Sequence, residues 1–140
     1  MIDVAGLAQR RSAMPNIPED LSYTKDHEWV REAGGKLTIG ITDYAQRQLG
    51  DVVFVQLPSA GDRFEEAEPI GTMESVKAVS EIYAPVTGVV DSVNAELDDS
   101  PELINTDPYG DGWLVVVNGS ASSDGLMDAA QYADYVKEPE

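Results

Sequence analysis

The chain has 140 residues, 26 acidic and nine basic, for a formal charge of −17, which is one domain's worth of material with room for a real core. With no cysteine and a single histidine, His27, it lacks disulfides, thiolate metal sites, cysteine nucleophiles and any multi-histidine zinc site. The negative charge repels a phosphate backbone and so argues against nucleic acid, and no apolar run is long enough to span a membrane.

Residues 1–13 carry Arg10 and Arg11 but no apolar signal-peptide core, and are read as a disordered extension ahead of one domain over 14–140. Pro15 to Leu21 is an extended leader. His27 to Arg31 predicts a first strand with Trp29 as its apolar anchor, and Gly34-Gly35 predicts a hairpin turn. Lys36 to Thr42 alternates cleanly, with Leu37, Ile39 and Ile41 on one face of a half-buried strand. Thr42 or Asp43 caps a short helix that stops at Gly50. Asp51 to Leu57 is apolar on both faces and is expected to be a central strand ending at Pro58.

Thr72 to Pro85 reads as a hairpin about Ser75–Ala78, with Lys77 at its tip in water. With Val76 and Lys77 as the central turn residues, Glu74 faces Val79, Thr72 faces Glu81 and Ile70 faces Tyr83. Val76 disfavours positive φ, so the turn is expected to be type I or distorted. Pro85 to Asn94 predicts a strand interrupted at Thr87-Gly88. Ser100-Pro101-Glu102 starts a helix with Asn105 near its stop, Pro108 to Gly112 is a tight turn, and Trp113 to Val117 is a buried strand. Beyond polar Ser120–Gly125, the spacing of Leu126, Ala130 and Ala133 predicts a terminal helix that packs Leu126 and Met127 and ends before Pro139. Six or more short strands with close turns make the class mainly β, two sheets forming a flattened barrel.

The hairpin sequence E-S-V-K-A followed by S-E-I-Y-A-P resembles the lipoyl-attachment hairpin of the glycine cleavage system H proteins. The likeness extends to H-E-W-V at 27–30, G-I-T-D-Y-A at 40–45, L-G-D-V-V-F-V-Q-L-P at 49–58, A-P-V-T-G at 84–88 and S-P-E-L-I-N-T-D-P-Y-G-D-G-W at 100–113. These blocks keep the family's order and spacing from about Ile17 onward. Met14-Pro15 falls where such proteins usually begin.

The resemblance implies the lipoyl/biotinyl fold, a barrel-sandwich hybrid with short helices and a C-terminal helix. It implies a non-catalytic carrier whose cofactor, lipoate, is attached to Lys77. Glycine's aminomethyl group would pass to it from the pyridoxal-phosphate-dependent decarboxylase (P protein), then to the tetrahydrofolate-dependent aminomethyltransferase (T protein), with reoxidation by dihydrolipoyl dehydrogenase (L protein). A lipoyl or octanoyl transferase, or a lipoate ligase, would install the group. Glu74 and Gly88 match the family's modification motif, although Gly88 is equally read as a strand bulge or close sheet contact. Glu28, Ile41 and Ala45 match positions lining the cleft where the loaded arm docks, and an exposed strand carboxylate is the competing reading of Glu28. His27 and Trp29 are read as structural, and Gln48 replaces a histidine found in some members. A lipoyl domain of a 2-oxoacid dehydrogenase would read Asp-Lys-Ala at the hairpin. An H-like protein that relays lipoyl groups is the subtler alternative. Bacterial cytoplasm is the expected location, or the mitochondrial matrix in a eukaryote.

Overall fold

The computed structural model describes residues 16–119 and 126–136. The extension over 1–13, the polar segment over 120–125, Lys137 and Pro139 lie outside the described residues. Among the described residues thirteen short elements follow one another: β1 (Ser22–Tyr23), β2 (Glu28–Ala33), β3 (Lys36–Ile41), α1 (Asp43–Leu49), β4 (Val52–Gln56), β5 (Arg63–Phe64), β6 (Pro69–Ser75), β7 (Val79–Tyr83), β8 (Gly88–Val93), a 3₁₀ turn (Ala95–Asp98), α2 (Leu103–Thr106), β9 (Val115–Gly119) and α3 (Ala129–Val136). They form a six-stranded antiparallel sheet, ordered β1-β2-β3-β9-β8-β5, and a three-stranded one, ordered β4-β6-β7. The mainly β class with a C-terminal helix is therefore correct.

Local chemistry explains several elements. Gly34 and Gly35 both take positive φ, which lets the β2–β3 hairpin close in two residues between Ala33 and Lys36. Leu37, Ile39 and Ile41 point from β3 into the core, as alternation predicts. Thr42 caps α1 by accepting from the Ala45 N–H at 3.1 Å, and Gly50 ends the helix at φ +84°. Trp29 is fully buried, and its indole N–H donates to the Pro108 carbonyl at 2.9 Å.

Four expectations need correction. The Asp51–Leu57 segment is an edge strand, not a central one. A register shift between Val52 and Phe54 interrupts its alternation and turns both Val53 and Phe54 outward. In the hairpin, Glu74–Val79 and Thr72–Glu81 pair as expected, but Tyr83 faces Pro69 instead of Ile70. A bulge between Pro69 and Gly71 absorbs the extra residue, beside the point where Gly71 approaches the Gln56 carbonyl too closely to admit a Cβ. The Pro85–Asn94 strand begins only at Gly88, and the 100–105 helix only at Leu103.

The terminal helix also differs. Leu126 and Met127 pack on the barrel from extended chain ahead of it, with Met127 bridging to Tyr23. Asp128 and Gln131 form a reciprocal capping box that sets the helix start, with Gln131 N to Asp128 Oδ1 at 2.8 Å and Asp128 N to Gln131 Oε1 at 2.9 Å. The buried residue of the helix is Tyr132, stacked on Tyr23 with centroids 4.6 Å apart, while Ala130 and Ala133 face solvent.

Candidate functional site

Lys77 lies at the tip of the β6–β7 hairpin, exposed, and its ammonium has no ion-pair or hydrogen-bond partner among the described residues. Neither Val76 nor Lys77 takes positive φ, so the turn avoids the mirror-image types. Ser75 supplies what the missing glycine would have. Its hydroxyl oxygen accepts from the Lys77 N–H at 3.2 Å and the Ala78 N–H at 3.0 Å, while the Ser75 N–H donates to the Ala78 carbonyl at 2.8 Å.

The tip is also anchored from outside the hairpin. The Val76 N–H donates to the Asp51 carbonyl at 3.1 Å, tying the tip to the head of β4. Asn105 fixes that head in turn: its amide nitrogen donates to the Gly50 carbonyl and to Gln46 Oε1, both at 2.9 Å, and its oxygen accepts from the Val52 N–H at 2.8 Å. The lysine stem runs over Gly50, where an added Cβ would stand 3.2 Å from Lys77 Cε. From sequence, Asn105 reads only as a residue near a helix stop. Its bonds reach 53 to 59 residues back along the chain, which no local pattern reports.

Glu74 is exposed on β6, three residues before Lys77, with Phe54 and Val79 as its cross-strand neighbours. Gly88 opens β8 between Phe64 and Gly119, and a Cβ there would meet the Asn118 carbonyl oxygen at 2.5 Å. It is a close sheet contact, away from the Lys77 tip on the other sheet.

Glu28 is not an exposed carboxylate; only 2% of it reaches solvent. Thr24 donates its hydroxyl to Oε1 at 2.9 Å, and the Tyr83 N–H donates to Oε2 at 2.9 Å, so Glu28 joins β2 to the end of the hairpin's return strand. Desolvation outweighs these two bonds and pushes the carboxyl up to about 8. Glu28 lines a cavity of about 200 Å³ with Thr24, Lys25, Asp26, Ala84 and Leu126 among its walls. Ile41, the register partner of Glu28, is buried in the core, and Ala45 is half-buried on α1; neither lines that cavity. Gln48 is exposed on α1.

The raised Glu28 carboxyl has a measurable consequence. The native protein holds a proton that the unfolded chain releases near its ordinary value of 4.5. The contribution is therefore complete below that pH and is lost as pH rises through about 8. Glu28→Gln keeps an oxygen for the Tyr83 N–H and should flatten this decline. Urea denaturation of both proteins at about pH 5 and about pH 8 checks it, and parallel losses of stability would contradict the assignment.

His27 and Trp29 are structural. His27 sits at φ +69°, its Nδ1 lies 2.8 Å from the Tyr132 hydroxyl, and its ring contacts Tyr44, Tyr132 and Tyr135. That ring cluster fastens α3 to the barrel.

The glycine cleavage H-protein family model matches residues 21–139. The chain belongs to that family. A glycine cleavage system H protein of Herpetosiphon aurantiacus is 55% identical over 125 residues, covering 89% of this chain and 97% of the relative. One from Rubrobacter xylanophilus is 53% identical over 127 residues, covering 91% of this chain and all of the relative. Among solved structures, the glycine cleavage system H protein of Mycobacterium marinum superposes with a TM-score of 0.81 at 43% identity, over 87% of this chain and all of that one. No helix among the described residues is long and apolar enough to cross a membrane, and no cluster of three metal-ligating side chains occurs among them.

Proposed function

We propose that this chain is the lipoyl carrier of glycine cleavage, with lipoate joined by an amide to Nζ of Lys77. The observation that carries this reading is the placement of Lys77 in a chain of the H-protein family: an exposed amine, without a partner among the described residues, on a turn held by Ser75 and the β4 head. A free amine in water, on a rigid support, fits covalent attachment and leaves the long stem free to swing. When bound there, the dithiolane would supply a disulfide that opens and is reduced as it takes up the aminomethyl group of glycine, and the dithiol left after transfer would give that electron pair up on reoxidation.

The chain's own part is presentation. It holds one arm at high local concentration near three active sites in turn, those of the P, T and L proteins, and catalyses no step itself. Glu74 serves recognition by the transferase or ligase that acylates Lys77. Gly88 serves it indirectly, by allowing β8 and β9 to close beneath the hairpin sheet. Glu28, on the wall of its cavity, serves as the acceptor for the cationic end of the loaded arm, while Ile41 and Ala45, which do not line that cavity, support it from the core side of β3 and from α1. A cation beside Glu28 would draw its carboxyl toward the ionised form, opposing the desolvation that holds it protonated. The acidic surface fits a carrier that works in the bacterial cytoplasm and meets basic partner surfaces.

Peptide mass spectrometry of protein made in a lipoate-competent host tests the assignment. The acyl mass is expected on the peptide containing Lys77. Its location on Lys25, Lys36 or Lys137 would overturn the reading.

A further inference from the structure

Five large hydrophobic side chains are exposed among the described residues, and four of them gather at the Lys77 end of the hairpin sheet. Val53 and Phe54 are each 52% exposed, Val76 is 70% and Val79 is 67%. Their arrangement follows from the strands. Phe54, Glu74 and Val79 are direct cross-strand neighbours along β4-β6-β7, so they share the outer face of the sheet. The β4 bulge adds Val53 to Phe54 on that face, and Val76 stands beside Lys77 in the turn. Exposed apolar groups clustered in this way mark an interaction surface, because solvation alone would favour polar residues at an edge strand.

The rim of the cluster is acidic. Asp51, Glu74 and Glu81 are all exposed around it, and Lys77 is the cation at its centre. An occupant must therefore offer an apolar centre and a basic border. It must also come down onto the base of the lysine. Enzymes that work on the end of a long swinging arm can stand away from the hairpin. An enzyme that acylates the amine cannot, since its acyl donor has to reach Nζ itself, and its surface then covers Val76, Val79 and Phe54.

We infer that Val53, Phe54, Val76 and Val79 form the docking collar for the enzyme that acylates Lys77, and that this partner meets it with a basic-rimmed apolar surface. The inference rests on Lys77 being the acylated residue. In the step it serves, the ammonium gives a proton to a base of the partner. Nζ then bonds to the carbonyl carbon of an activated acyl donor, a thioester or an acyl–phosphate anhydride, the C–S or C–O bond to the leaving group breaks, and the second Nζ proton passes to the departing thiolate or, with a phosphate leaving group, to solvent. Nothing is oxidised or reduced.

The test uses the full-length unmodified chain with a purified lipoate–protein ligase, lipoate and ATP, following acylation by intact mass at varied carrier concentration. Phe54→Ser is expected to raise KM for the carrier about tenfold and Val79→Thr about threefold, with kcat within about twofold of the parent. Val79→Thr keeps the β-branched shape on a strand, so it carries the test if Phe54→Ser loses its thermal transition. KM values within about twofold of the parent for both folded variants, with Lys77 still acylated, would overturn the docking collar alone. A parent chain acylated at another lysine, or not at all, would remove the carrier reading and the collar with it.

Discussion

Lys77→Arg should fold like the parent and lose glycine cleavage completely in a system reconstituted with the P, T and L proteins. The structural side rests on exposure. The side chain crosses Gly50 and otherwise meets water, and the bonds that hold the turn come from the Ser75 hydroxyl and from backbone groups that arginine leaves in place. A surface change of this kind shifts stability by about 0.5 kcal/mol or less. The functional side rests on chemistry. A guanidinium stays protonated at any physiological pH and is a poor nucleophile, so no amide forms and no arm is carried. Thermal unfolding by circular dichroism and glycine-dependent NADH formation are the two measurements. Residual cleavage in the folded variant above the level without carrier would end the carrier reading.

Gly40→Ala is expected to produce the largest loss of stability of any single-methyl change in the first hairpin. Gly40 on β3 lies directly across from Trp29 on β2. A Cβ at position 40 would stand 2.5 Å from Trp29 Cζ2 and 2.7 Å from its Nε1, well inside contact distance. The ring cannot easily yield, being fully buried and hydrogen-bonded to the Pro108 carbonyl at 2.9 Å. Replacing glycine lowers the entropy of the unfolded chain, a gain of roughly 0.4–1 kcal/mol. Overpacking a rigid site costs about 1–3 kcal/mol and more where backbone must move, so the clash wins. A net loss near 2 kcal/mol lowers Tm by roughly 6–10 °C in a domain of this size. A melting point within about 2 °C of the parent would show that the indole has an alternative seat. Displacing it would also disturb the Pro108 turn, and with it the neighbouring α2 that carries Asn105 and the support of the Lys77 tip.

These two substitutions mark a division that runs through the whole molecule. The amino-acid sequence by itself determined the features whose cause is local. Alternation over Lys36–Ile41, two consecutive glycines at 34 and 35, Thr42 with Gly50, and Lys77 between two β-prone runs each act within a few residues, so the pattern and the structure coincide. The D-A-A-Q capping box at Asp128–Gln131 was equally legible there and sets the helix start that the Leu126 spacing misplaces. Tertiary structure alone decided the features whose cause lies across the chain. V-V-F-V is apolar enough for a sheet centre, yet only the sheet order makes β4 an edge and its bulge turns Val53 and Phe54 to solvent. Only the family resemblance singles Glu28 out among 26 acidic residues, and its burial shows only once Tyr83, 55 residues away, donates to it and the barrel closes over its carboxyl. Asn105 acquires its role only when α1, β4 and α2 meet. Hydrogen-bond partners and solvent exclusion belong to positions in space, and periodicity along a chain carries no record of which distant segment will fill them.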